Sequence, residues 1–299
     1  MTTRIILDTD IGTDVDDCLA LALILKSPEL RLEGITCVYG DVLLRSRMVM
    51  KLLELYGTQV PVMAGARKPL MGLRPVYWEG HEGEGVLEAG DERLMPEPEF
   101  AADYIVRMVM ENPGSIHLVG IGPLTNIALA LLKEPRVAEQ VAQITLMGGV
   151  VRGLGRLDLP YSEHNILCDA DAAHVVFSSG APINVIPLDL TTRVKVNRDG
   201  VERIRQGGTA FHAAVVGQLE RYPRFEKQGW TNLHDPLAVA SVIDPSLVRM
   251  EAVRIDVETG GRHTLGATVM RAQADSRSRV AVDVDVERFE AFFIERVER

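Results

Sequence analysis

The sequence predicts an α/β fold in which a mainly parallel sheet carries helices on both faces. Short apolar runs alternate along the chain with longer segments whose apolar residues fall at helical spacing. Hairpin signals are confined to the C-terminal part, and no repeat, low-complexity tract or Pro/Ser-rich linker divides the chain. Alternation of this kind joins parallel strands through crossover helices, and both sheet faces are then covered. The expected architecture is open and Rossmann-like, one domain over residues 1–299. In such sheets ligands bind beyond the carboxyl ends of the strands, so chemistry is sought there.

Ile5-Ile6-Leu7 reads as the first buried strand, opening into an acidic loop. Cys18 to Leu25 is apolar all round, which marks a helix enclosed by other layers. Leu32 to Tyr39 is a second strand, Ser46 to Tyr56 a second helix, and Val60 to Ala64 a third strand. Ser115 to Ile121 is a strand before a helix at Asn126 to Leu132, and Gln143 to Met147 is a strand before a loop. Asn184 to Leu190 is a further buried strand. Val253 to Val257 and Thr264 to Arg271 form a hairpin about Glu258-Thr259-Gly260-Gly261, and Arg279 to Val284 precedes a closing helix. The stretch from Leu70 to Pro98, rich in Gly, Pro and Glu, is long for a plain connection and reads as a lid.

With 299 residues, 46% hydrophobic and 25% charged, the chain can bury a large core. A net charge of -10 argues against a nucleic-acid partner, which needs concentrated Lys and Arg, and it suits a cation pocket. Cys18, Cys37 and Cys168 lack CxxC spacing and sit in apolar contexts, so reduced thiols and a cytoplasmic location are expected. The first residues run into a strand without the apolar core of a signal peptide. No apolar run reaches the roughly 18 residues that span a bilayer, and no membrane partner is expected.

The sharpest feature is Asp8-Thr9-Asp10-Ile11-Gly12-Thr13-Asp14-Val15-Asp16-Asp17, with five carboxylates at a strand-to-helix junction. Capping a helix uses one or two aspartates. Five this close repel one another unless protons or a cation neutralise them. Oxygen ligands favour a hard cation such as calcium or magnesium.

The run Leu7-Asp8-Thr9-Asp10 with Gly12-Thr13 is similar to the opening of haloacid-dehalogenase-like magnesium phosphatases. That class also needs a downstream lysine and a second acidic motif, and no convincing pair is present. A fuller match lies elsewhere. The opening resembles the DxDPGxDD signature of the inosine–uridine-preferring nucleoside hydrolase family. Gly122-Pro123-Leu124-Thr125-Asn126-Ile127-Ala128 resembles its GPLTNIA block, and Leu146-Met147-Gly148-Gly149 its LMGG block. Glu163-His164-Asn165 followed by Asp169 resembles its E-F-N…D segment, and His234-Asp235-Pro236 its HDP motif. The five blocks come in the family's order over nearly the whole chain. Two departures stand out: Ile11 replaces the family proline with two residues inserted after it, and Asp41 replaces an asparagine after the second strand.

The resemblance implies the nucleoside hydrolase fold and hydrolysis of a ribonucleoside to ribose and a free nucleobase. Asp10, Asp17 and Asp235 would coordinate Ca2+ together with the Ile121 carbonyl, and Asp8 would be an outer ligand. A water on the metal would attack, with Asp10 as general base. Asp16, Asp41, Met147, Glu163 and Asn165 would bind the substrate, the acids among them facing the ribose hydroxyls. His234 would protonate the departing base and His81 would contact it. Tyr222, Phe225 and Trp230 would form a wall over the base, with Trp230 the ring assigned to it. Physical chemistry agrees in outline: cleaving the bond passes through an oxocarbenium-like state that carboxylates stabilise, and a metal acidifies its water. A homodimer or homotetramer is implied. A haloacid-dehalogenase-like magnesium phosphatase and a catalytically silent riboside-binding protein are the two alternatives.

Overall fold

The computed structural model describes residues 2–72, 74–151 and 156–299. Its strands are β1 (Thr3–Thr9), β2 (Leu30–Cys37), β3 (Val62–Ala64), β4 (Ile116–Gly120), β5 (Gln143–Met147) and β6 (Ile183–Ile186), then β7 (Lys195–Asn197), β8 (Trp230–Asn232), β9 (Val248–Val257), β10 (Thr268–Ala272) and β11 (Ser278–Val284). Nine of them form one sheet in the order β10-β9-β11-β6-β5-β4-β1-β2-β3, while β7 and β8 pair separately. Every pairing in the large sheet is parallel except those of β9, which runs against β10 and β11.

The strand order reverses between β1 and β4, and a crevice opens at that switch point. Asp8 is level with Thr36 of β2 and Gly120 of β4, and Gly120 is level with Leu146 of β5. The segments leaving these strands therefore start side by side. Successive β1 residues point to opposite faces. Ile5 and Leu7 join one core layer with Leu19, Leu23, Val49 and Phe289, and Ile6 joins the other with Ile105, Leu118, Ile144 and Val253.

The helix Asp16–Leu25 is buried from Asp16 through Ile24, as its all-apolar sequence predicts, so its acidic first turn is carried inside. The second helix, Val42–Tyr56, starts before Ser46 because the Asp41 carboxylate accepts from the Leu43 and Leu44 N–H groups, both at 3.1 Å. The strand expected to reach Leu190 stops at Ile186. Pro187 has no N–H to give the sheet, and the short helix Leu188–Thr191 follows it. The C-terminal hairpin forms, with β10 starting at Thr268, and the helix Val286–Val297 closes the chain. The 70–98 stretch holds one 3-10 turn, Asp91–Arg93. Among the described residues no helix is long and apolar enough to cross a membrane.

Candidate active site

The site begins with the turn after β1. Thr9 Oγ1 accepts from the Ile11 N–H at 3.1 Å and lies 2.5 Å from Asp17 Oδ1 as donor, tying the strand end to the first helical turn. Gly12 has φ 120°, and a Cβ there would stand 2.8 Å from Met48 Sδ, so the turn is built for glycine. The turn carries Asp16 and Asp17 to the start of one buried helix. Asp235 lies in the first turn of another, His234–Ile243. One oxygen of each of these three carboxylates lies within 4.8 Å of the others, and all three residues are buried. Asp16 Oδ2 also accepts the Asp235 N–H at 3.2 Å. Asp10 lies against the start of the β4 loop: a Cβ on Gly122 would stand 2.6 Å from its Oδ1.

Electrostatics shows what this arrangement lacks. Burial, followed by repulsion from neighbouring acids, pushes the Asp16, Asp17 and Asp235 carboxyls well above the usual carboxylate range. Burial also raises Asp10, but the Arg45 guanidinium and His164 hold it down. No Lys or Arg among the described residues forms a salt bridge to any of the four. Buried, converging carboxylate oxygens with no ion-pair partner fit a hard divalent cation.

A cleft of about 690 Å³ opens above these acids. Asp10, Asp16, Asp17, Ile121 and Asp235 line it, as do Met147, Glu163, Asn165, His81 and His234. Glu163 caps the helix His164–Cys168 through the N–H groups of Asn165 (2.8 Å) and Ile166 (3.2 Å) and also accepts from Gly149 N–H (3.1 Å). Asn165 Nδ2 donates to the carbonyls of Ile121 (2.9 Å) and Met147 (3.3 Å), fixing the ends of β4 and β5 relative to one another. His234 Nδ1 lies 2.7 Å from Thr191 Oγ1, and burial lowers the imidazole to about 4. His81 Nε2 lies 3.1 Å from the Thr13 carbonyl.

Four residues named from the sequence do not line the cleft. Asp8 sits behind it: one oxygen meets Thr36 Oγ1 (2.5 Å) and Asn126 Nδ2 (2.8 Å), its Oδ2 has no partner among the described residues, and burial raises its pKa to about 7. Asp41 is spent on capping its helix. Trp230, at the start of β8, stacks under Lys195, whose Nζ is 4.0 Å from the ring centroid. The aromatic rings that do line the cleft are Tyr77 and Tyr222, and the Tyr222 hydroxyl donates to Asp14 Oδ2 at 2.7 Å. Phe225 is buried in the core. Asp14, His164 and Arg224 also line the cleft without having been singled out. A signal existed for His164, which stands at the aromatic position of the E-F-N segment.

Fold and cleft define an α/β protein with an acidic, cation-fitting site at the switch point of its sheet. The family model described as inosine-uridine preferring nucleoside hydrolase matches residues 5–291. The chain belongs to that family, and it is an enzyme that hydrolyses the N-glycosidic bond of ribonucleosides. An inosine-uridine preferring nucleoside hydrolase of Leishmania major is 35% identical, covering 100% of this chain and 98% of its own. A pyrimidine-specific ribonucleoside hydrolase, RihA, of Enterobacter sp. (strain 638) is 36% identical over 99% of this chain and 98% of its own. Among solved structures, a purine-preferring ribonucleoside hydrolase from Gardnerella vaginalis superposes with a TM-score of 0.87 at 32% identity, covering 99% of this chain and 98% of that one. A plant nucleoside hydrolase, PpNRh1, gives 0.85 at 29% identity, covering 100% and 99%. The match removes the ground for the phosphatase reading.

Proposed function

We propose that this chain is a calcium-dependent ribonucleoside hydrolase in which Asp10 is the general base. The observation that carries the reading is the buried meeting of Asp17 and Asp235 with Asp10 beside them. Asp10, Asp17, Asp235 and the Ile121 carbonyl would hold the ion, with Asp8 behind them as an outer contributor. Bound there, a divalent cation supplies Lewis acidity toward water and grips sugar hydroxyls. Asp10 suits the base role because Arg45 and His164 counter the effect of its burial most strongly, whereas the Asp16, Asp17 and Asp235 carboxyls stay well above the usual range.

One oxygen of Asp16 is held by the Asp235 N–H, and we assign the residue to the ribose hydroxyls with Glu163 and Asn165. Met147 packs beside the sugar, and the negative wall faces the positive charge that develops on the ring. At the base end a neutral His234 can take a hydrogen bond from Thr191 on Nδ1, which leaves Nε2–H to donate a hydrogen bond to the departing base, while full proton transfer would come from the imidazolium form. His81 would contact the base. Tyr222 and Tyr77 replace Trp230 as the rings available to it. Three buried free thiols support a reducing, cytoplasmic setting, and a homodimer or homotetramer is proposed from the family resemblance.

A panel of inosine, uridine, cytidine and adenosine, assayed for released ribose beside p-nitrophenyl phosphate, tests the reading. Ribose release from at least one riboside, poor cleavage of its 2′-deoxy analogue and no phosphate release are expected. Phosphate release without ribose release would refute it.

A further inference from the structure

Among the fully buried side chains, Arg45 is the largest. Its 0% exposure is unusual for a guanidinium with no carboxylate partner, since burying an unpaired charge is costly. No salt bridge to Arg45 occurs among the described residues, although acids crowd the neighbouring cleft. Three of its four hydrogen bonds go to the main chain instead. Nε donates to the Tyr39 carbonyl at 2.7 Å. Nη1 donates to the carbonyls of Asp10 and Ile11, the latter at 2.7 Å, and Nη2 donates to Thr13 Oγ1 at 3.1 Å. A single planar fork thus ties the segment leaving β1 to the segment leaving β2.

Two further features are shaped around this fork. Tyr39 is the one non-glycine residue with positive φ among the described residues, at 68°, and its carbonyl is the one that Nε takes. That strained backbone is held where Arg45 can use it. The Trp78 ring then covers the guanidinium, its centroid 5.0 Å from Cζ. Trp78 can lie there only because Gly40 has no side chain: a Cβ would stand 2.6 Å from the ring. The tether falls on residues 10, 11 and 13, the stretch where the sequence departs from the DxDPGxDD signature that it resembles.

We propose that Arg45 is a positioning residue for the cation site: it fixes the acidic turn after β1 so that Asp10 faces the meeting point of Asp17 and Asp235. The proposal rests on the reading that a divalent cation binds there. Lysine cannot replace it, because an ammonium is a point charge that cannot span two loops as a planar fork does. Charge and tether pull in opposite directions. Removing a positive charge beside a cation site favours cation uptake, whereas releasing the turn scatters the ligands.

Calorimetric titration of calcium into the full chain separates these effects. In R45K the charge stays and the fork is lost; in R45Q the charge is lost and one amide donor group remains. Loss of positioning is expected to weaken calcium binding in both variants, by about 10–100-fold as for other supports of metal ligands. Unchanged affinity in R45K with tighter binding in R45Q would mean that Arg45 acts through charge alone, and would overturn the proposal. Lower thermal stability of the metal-free variants with wild-type calcium affinity would overturn it as well, by reducing Arg45 to core packing. A wild-type chain that takes up no calcium would instead bring down the cation reading, and Arg45's role with it.

Discussion

At the level of single residues, the proposed mechanism divides the chemistry between Asp10 at the sugar face and His234 at the leaving group. Asp10→Ala removes both the proposed base and a ligand. Its turnover on the best riboside is expected to fall by at least about 10²–10⁴-fold, the range that general-base loss alone explains. Steady-state ribose release measures this, and a loss below tenfold would exclude Asp10 as the base. His234→Ala is expected to damage hydrolysis of a purine riboside far more than that of p-nitrophenyl riboside, whose leaving group needs no proton. Equal losses on the two substrates would count against a leaving-group role. The run holding Asp10 and Asp17 stood out in the sequence because aspartates directly after a strand and at a helix start have few uses besides capping, whereas Asp235 was singled out only by the resemblance of His234-Asp235-Pro236 to the HDP motif. Trp230 falls outside the cleft lining, since nearness to His234 along the chain does not say which way a β8 side chain points. Arg45 was missed for a similar reason: it stands just before the helix expected from Ser46, and the carbonyls it serves lie on other elements.

Between elements, the site is a set of loops tied to the acidic turn after β1. Glu82 accepts from the N–H groups of Glu79 (2.9 Å) and Gly80 (2.7 Å) and from Thr13 Oγ1 (3.2 Å), while His81 meets the Thr13 carbonyl. The lid segment is thereby docked on the acidic turn. Glu82→Ala should free it. Hydrogen bonds to a charged group contribute about 1.5–3 kcal/mol, so KM for the riboside is expected to rise roughly tenfold or more, with kcat falling less. An unchanged KM would mean that the lid does not close on substrate. The strands of this framework were readable because buried parallel strands are continuous apolar runs. The three-residue strands β7 and β8 carry too short a pattern to register. The helices between His164 and Gln228 were not read at all, although side-chain caps at Glu163, Asp169, Asn197 and Thr209 marked four of their starts.

For the whole molecule, the parallel sheet predicted from alternation puts the carboxyl ends of β1, β2, β4 and β5 under one crevice. Asp16, Asp17 and Asp235 meet there with Asp10 in the same cleft, at a cost in stability that ion binding would offset. Raised carboxyl pKa values mean that the folded metal-free chain holds protons which the unfolded chain releases. The associated stability is present at low pH and is lost as pH rises through the folded values, about 7 for Asp8 and well above the usual range for Asp16, Asp17 and Asp235. His117 and His234, both lowered to about 4, act in the opposite sense, but only below their unfolded value of about 6.5. Between pH 6.5 and 8 the chelated protein should therefore lose melting temperature, and calcium should remove most of that loss. A flat melting profile in chelator over this window would contradict the charged-cluster reading.

The most direct measurement is riboside turnover before and after exhaustive removal of divalent cations. Turnover is expected to fall to background in the stripped enzyme and to return on adding about one calcium per chain. Full activity in a preparation shown by elemental analysis to be free of divalent metal would contradict the claim that Asp10, Asp17 and Asp235 work by holding an ion.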